Sequence, residues 1–258
     1  MKPCKIKKSL RHATNILGAL GLLTIINPAS LAQSTTLGGG IGIGQSPYLG
    51  DGSLINPLPL LEYDSKYLFV SGLSAGVHLW QNTEQQLNLE LQYLPLSLKP
   101  SDNDDARMKL LDRRKSTLLG GLSYSVRGRW GQLKGEVLTD LLDNSRSTLL
   151  EADYSYNFQI TEELTLTPQV GVIWANRKHN TYYYGVSEKE AQQSGFSAYE
   201  AGSGITPHLG LAAHYKITPR WSGLLQYHYL VLNNKVKSSP IVNRSGIHTL
   251  SLGIMYHF

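Results

Sequence analysis

The residues of this sequence that could support metal or proton chemistry are His208, His214 and His228, together with Glu90, Glu136, Asp140, Glu151 and Asp153. Their spacing limits what they can do. His208 and His214 share a face of an alternating stretch but stand about 20 Å apart along a strand, too far to hold one ion. His208 and His228 become diagonal neighbours if residues 218–220 form a tight hairpin, yet a histidine pair without a carboxylate partner is a weak metal site. The glycines Gly38, Gly40, Gly42 and Gly44 share only composition with a phosphate loop, because the GxGxxG spacing and a following helix are missing. The G-x-S-x-G run from Gly72 to Gly76 is not followed by a helical pattern, so it does not make a nucleophile elbow. On this reading no catalytic residue, no cofactor-binding residue and no metal ligand is assigned.

The elements that must position these groups are strands. In residues 205–217 the odd positions, among them Ile205, Leu209, Leu211, Tyr215 and Ile217, are apolar, whereas the even ones include Thr206, His208, Gly210, His214 and Lys216. Period-two alternation of this kind defines a two-faced strand. It recurs in 35–44, 115–126, 132–141, 149–160, 164–174 and 221–232, and in 87–98 with a change of parity around Tyr93 to Pro95 that predicts a bulge. Helical periodicity is absent except for a run of helix formers at 188–193, where a short helix over the barrel mouth is expected.

Strands of about ten residues suit a tilted membrane crossing better than a soluble sandwich. Connections alternate between tight (82–86, 127–131, 159–163, 218–220) and mostly long (47–66, 99–114, 176–204, 233–246), with only Asp143 to Arg146 breaking the contrast, which is the pattern of outer-membrane barrels. The chain also stops on an alternating strand whose last residue is Phe258, and Trp130, Trp174 and Trp221 fall at strand ends, where an aromatic girdle belongs. The fold class is therefore all-β, a transmembrane antiparallel up-and-down β-barrel. An exported barrel with both ends in the periplasm needs an even number of crossings, but eleven extended segments are visible. Residues 57–63, which carry Pro57 and Pro59, are the weakest and are placed in the first outer loop. Ten strands result, with twelve as the alternative.

Residues 1–32 read as a signal peptide, with a basic start, an apolar run from Ile16 to Ile26, and the small residues Ser30 and Ala32 at the cleavage position. Residues 33–258 form the barrel. Lys2, Lys5, Lys7, Lys8 and Arg11 account for the whole formal charge of +5, so the mature chain is neutral and a nucleic-acid partner is not expected. Cys4 is the single cysteine, and its loss with the leader removes thiolate and disulfide chemistry.

Particular stretches resemble the MipA/OmpV family, the MltA-interacting proteins of Gram-negative outer membranes. They are 111–124 (LDRRKSTLLGGLSY), 142–145 (LDNS), 182–195 (YYYGVSEKEAQQSG), Ser46-Pro47-Tyr48, the stretch 57–63 and 239–242 (SPIV). The resemblance implies a non-enzymatic scaffold in outer-membrane lipid that links a lytic murein transglycosylase to a penicillin-binding murein synthase in peptidoglycan assembly. A narrow channel, or a ligand-binding or adhesive barrel, is the alternative. A periplasmic partner would have only the tight turns to grip. Arg127, Arg129, Trp130, Glu162, Glu163 and Arg220 are the candidate partner-binding residues there, with membrane anchoring as the competing role for Trp130 and for Trp221.

Overall fold

Alternation turns into a closed wall in the computed structural model, which describes residues 34–258; the expected leader, 1–32, lies outside the described residues. The strands are β1 (Ser34–Gln45), β2 (Ser53–Asp64), β3 (Leu68–Ser71), β4 (Ser74–Gln81), β5 (Gln85–Leu94), β6 (Thr117–Gly128) and β7 (Gly131–Asp140). They continue with β8 (Thr148–Ser155), β9 (Phe158–Gln159), β10 (Leu164–Ala175), β11 (Gly204–Lys216), β12 (Trp221–Val231) and β13 (Gly246–His257). Apart from β8 and β9, which both pair with β10, each pairs antiparallel with its sequence neighbour, and β13 returns to β1, as in Gly40 opposite Gly253, so no edge remains at the closure. The two-residue β9 continues the line of β8 along β10 after a break at Tyr156 and Asn157. Among the described residues no helix is long and apolar enough to cross a membrane; the strands make the crossings.

The barrel has twelve strands plus the β9 piece, which corrects the ten-strand expectation in favour of its alternative. Two details explain the miscount. First, residues 57–63 are not loop: they lie within β2, paired along its whole length with β1. Pro57 and Pro59 are tolerated because of the direction their nitrogens face. The Leu61 carbonyl accepts from the Gly72 N–H at 2.9 Å, so the odd residues of β2 turn their backbone groups towards β3. β3 reaches only Glu62 to Asp64 on that side, which leaves Pro57 and Pro59 on an unpaired edge where a missing donor costs nothing. Second, the stretch between residues 66 and 82 is two strands, because Gly72 (φ 56°) opens a two-residue hairpin turn before Leu73. The expected bulge at Tyr93 is also corrected. β5 runs regularly to Leu94 and the chain then leaves the wall at Pro95, whereas the register shift lies in β4, between His78 and Trp80.

Residues outside the barrel form an apolar belt, with Leu211, Leu252 and Val137 roughly half exposed. Inside, three layers stack. Near the start of β1 the lumen is polar, with His78 hydrogen-bonded to Asn88 (2.7 Å) and Asp64 (3.0 Å). On the glycine face of β1, Leu60, Leu224 and Met255 form a small apolar core; a Cβ at Gly38 would stand 2.9 Å from the Met255 side chain, so the glycines make room for it. At the far end the loops fold inward over the mouth. α1 (Arg177–Tyr184), α2 (Glu188–Ser194) and the short α3 (Asn234–Lys237) pack there with Tyr48, Leu96, Leu98, Met108 and Ile241 in one apolar cluster. The helix expected at 188–193 is α2, begun by a Ser187–Glu190 capping box and ended by Gly195 in the left-handed conformation.

Candidate functional site

The six residues proposed for the rim do not share one environment. Arg129, Glu162, Glu163 and Arg220 are exposed on three successive hairpins at the end of the barrel where β1 starts and β13 finishes. Arg127, at the same level, is an inward position of β6: it lines a lumenal cavity of about 120 Å³ with Asp64, His78, Gln132 and Lys134. It also borders a rim cavity of about 180 Å³ with Arg129 and Asn157, at the break between β8 and β9. Trp130 points outward and stacks on Tyr154, whose hydroxyl donates to the Trp130 carbonyl at 2.5 Å. Trp221, Tyr256 and Phe258 form a matching aromatic group, with ring centroids 5.1 and 4.9 Å apart.

Midway up the lumen, neighbouring strands align charged residues in rows. Lys134 is ion-paired with Glu136 and lies 3.8 Å from Glu90. The next strand carries Glu151 and Asp153, and two strands further on His208 lies within 3.8 and 3.3 Å of them. The diagonal approach of His208 and His228 expected across the hairpin is present, with Nδ1 of the first 3.0 Å from Nε2 of the second. Sequence reasoning missed the carboxylates beside it, because β8 and β11 are separated by β10 and their proximity is not local.

The outer closure has a hub. Arg114, in the connection before β6, donates from Nη2 to Glu190 Oε1 at 2.6 Å and to the Gly185 carbonyl at 3.3 Å. The same Glu190 oxygen accepts from the Asp112 N–H (2.9 Å), while Oε2 accepts from the Ser187 N–H (2.9 Å) and hydroxyl (2.8 Å). Burial alone would raise the Glu190 carboxyl. The Ser187 and Asp112 amides and the Arg114 guanidinium outweigh burial and hold it below the usual carboxylate range. Around this pair, the Tyr48 hydroxyl donates to the Tyr183 carbonyl (3.0 Å), and the Ser239 hydroxyl to the Tyr184 carbonyl (2.6 Å). Tyr183 in turn donates to the Lys115 carbonyl (3.1 Å).

The LDNS stretch joins the hub through a turn. Ser145 donates from its N–H (2.6 Å) and hydroxyl (2.8 Å) to Asp140, and passes by way of Ser147 to His179 Nδ1 (2.7 Å). The stretches 46–48, 111–124, 142–145, 182–195 and 239–242 therefore meet over the mouth. Their position in or beside the connections, with 111–124 running on into β6, was the available signal for this site.

His179 makes the hub sensitive to acid. Burial at 2% exposure lowers its pKa to about 4, since the charged imidazolium would lose its water without gaining an anion in contact. A histidine with a depressed folded value contributes stability that is complete above its unfolded value near 6.5 and is lost as pH falls from there towards 4. Each tenfold change in proton affinity is worth about 1.4 kcal/mol, so docking of α1 should weaken by about 3 kcal/mol across that window. Hydrogen exchange of the α1 amides at pH 7 and pH 4.5 checks this. His179→Gln should flatten the pH dependence, and an unchanged profile in that variant would assign it to another group.

A closed antiparallel barrel with an apolar outer belt, aromatic ends, tight turns at one rim and folded loops at the other is an outer-membrane β-barrel. Comparison with known proteins narrows the class. The family described as MltA-interacting protein MipA matches residues 37–258, and the chain belongs to it. The chain is similar to the MltA-interacting protein of Escherichia coli (strain K12), with 35% identity over 93% of this chain and 97% of that protein. It is also similar to the putative outer membrane protein YiaT of the same strain, at 31% identity over 89% of this chain and 93% of that protein. To the outer membrane protein OmpV of Vibrio cholerae the identity is 28%, over 73% of this chain and 72% of that one.

Proposed function

We propose that the protein is a non-enzymatic scaffold of the outer membrane that brings a lytic murein transglycosylase together with a penicillin-binding murein synthase. Membership of a family with relatives named for interaction with MltA carries this reading. The closed outer mouth supports it, because loops that fill the lumen oppose general diffusion, and a barrel this small is too narrow for it. Among the described residues, the periplasmic side offers tight turns, the start of β1 and the end of β13. Arg129, Glu162, Glu163 and Arg220 are the charged groups on three neighbouring turns, and Arg127 opens onto the rim cavity beside them. Trp130 and Trp221 serve as membrane anchors under this proposal.

Replacing Arg129 and Arg220 together with serine should weaken capture of the transglycosylase by roughly tenfold or more, the usual scale for interface arginines. Heat-modifiable migration, which reports barrel folding, should not change. Arg127→Ser, made separately, asks whether the rim cavity takes part. Undiminished capture by all three replacements would move the contact to the other face. There the alternative, a ligand-binding or adhesive barrel, has a specific feature in its favour: a cavity of about 600 Å³ beside the hub, bordered by Asp112, Tyr182, Glu188 and Tyr199.

A further inference from the structure

We propose that His208, Asp153 and Glu151 bind a divalent first-row transition-metal ion inside the barrel. One ligand atom from each of the three lies within 4.8 Å of the others, so a contraction of about an ångström brings them to the spacing required around an ion at 2.0–2.2 Å. A cluster of acids in a polar lumen would not by itself make a site. Three further observations do.

The first is an unused donor. His208 is 2% exposed and its Nε2 has no hydrogen-bond partner, yet it is aimed between the two carboxylates, at 3.3 Å from Asp153 and 3.8 Å from Glu151. The second is the ring's other nitrogen. Nδ1 is held by His228 Nε2, and a proton on Nδ1 donated to His228 leaves the lone pair of Nε2 facing the acids, as metal-ligating histidines require. The third is the space itself. Gly171 of β10 lies between Asp153 of β8 and His208 of β11 in one cross-strand row. A Cβ there would come within 2.5 Å of His208 Nε2 and would also strike Asp153 Oδ1, so the missing side chain is what lets the two residues meet.

Charge agrees with this geometry. Lys134 is occupied with Glu136 and Glu90, and among the described residues the salt-bridge contacts of Glu151 and Asp153 are to His208 alone. Gln169 Nε2 donates to Asp153 Oδ1 at 2.9 Å and holds that carboxyl in place, and a divalent cation would neutralise the charge of the two acids as it displaces any proton they carry. One imidazole nitrogen with two carboxylate oxygens suits Zn²⁺, Co²⁺, Fe²⁺ or Mn²⁺; Mg²⁺ and Ca²⁺ prefer oxygen alone. Bound there, the ion ties β8 to β11 across β10, below the loop hub.

The test uses the full mature barrel, refolded in detergent and stripped with chelator, then titrated with Zn²⁺ by calorimetry and with Co²⁺ by visible absorption. One saturable site is expected, with a Co²⁺ spectrum that differs from that of the aqueous ion. Asp153→Asn and His208→Gln should abolish it, Gly171→Ala should block it by filling the space, and His228→Ala should weaken it by roughly 10- to 100-fold. His214→Gln, at the other end of β11 beside His257, should bind as the parent does. Heat-modifiable migration identifies any variant that fails to fold. Absence of a stoichiometric site in the parent overturns the proposal, as does binding that survives Asp153→Asn and Gly171→Ala in folded protein.

Discussion

Arg114→Ala should undock the outer loops while leaving the barrel closed. Its side chain and that of Glu190 are 8% and 4% exposed, and removing one partner of a buried pair costs about 3–5 kcal/mol because the other charge stays behind without compensation. Glu190 would keep the amides of Asp112 and Ser187 but lose the guanidinium, and the Gly185 carbonyl would lose its donor. The effect should be confined to the hub, since neither residue belongs to a wall strand. On intact cells, protease should cut between residues 176 and 203 at a rate at least tenfold above the parent, with heat-modifiable migration of the barrel unaltered. Replacing both residues by methionine should restore much of the protection, because the uncompensated charge is then gone. If Arg114→Ala is as resistant as the parent, the hub is held by its apolar contacts and the ion pair is incidental.

Leu211→Arg should destabilise the folded barrel by about 2–4 kcal/mol, the scale for a cation at the bilayer midplane. Leu211 is 47% exposed on the lipid side of β11 near the strand's centre. Ile205 and Tyr215 face the same way nearer the two ends, so arginine there should cost about 0–1 kcal/mol. Gly210→Arg points inward. A Cβ at Gly210 would sit 3.1 Å from the His228 ring, so that variant should lose stability by crowding, without the depth dependence. Equilibrium refolding into lipid vesicles measures all four. A flat profile along the outward positions would remove the membrane belt from this face.

Glu136, Glu151, Asp153 and His208 show where legibility in the sequence stopped. Their inward direction follows from parity, since a strand with Leu150, Ala152 and Tyr154 on one face must place Glu151 and Asp153 on the other. That the two acids meet a histidine more than fifty residues away depends on which strands flank β10 and on the register of two ladders, with Gly171 opposite both Asp153 and His208. Alternation contains no term for register between distant strands. The strand count failed for a related reason. Pro57 and Pro59 speak against a strand on propensity, but the edge they occupy exists because β3 is only four residues long. A local rule was overridden by a neighbour's length.

The sequence alone therefore determined what depends on near neighbours along the chain: two-faced strands, tight and long connections, the helix at α2, the barrel class, and the family through its loop motifs. Tertiary structure alone decided what depends on closure. It set twelve strands instead of ten and drew the loop motifs into one hub around Arg114 and Glu190. The physical reason is one of range. Side-chain direction repeats every two residues and can be read locally, whereas the partner across the lumen is chosen only when the last strand pairs with the first.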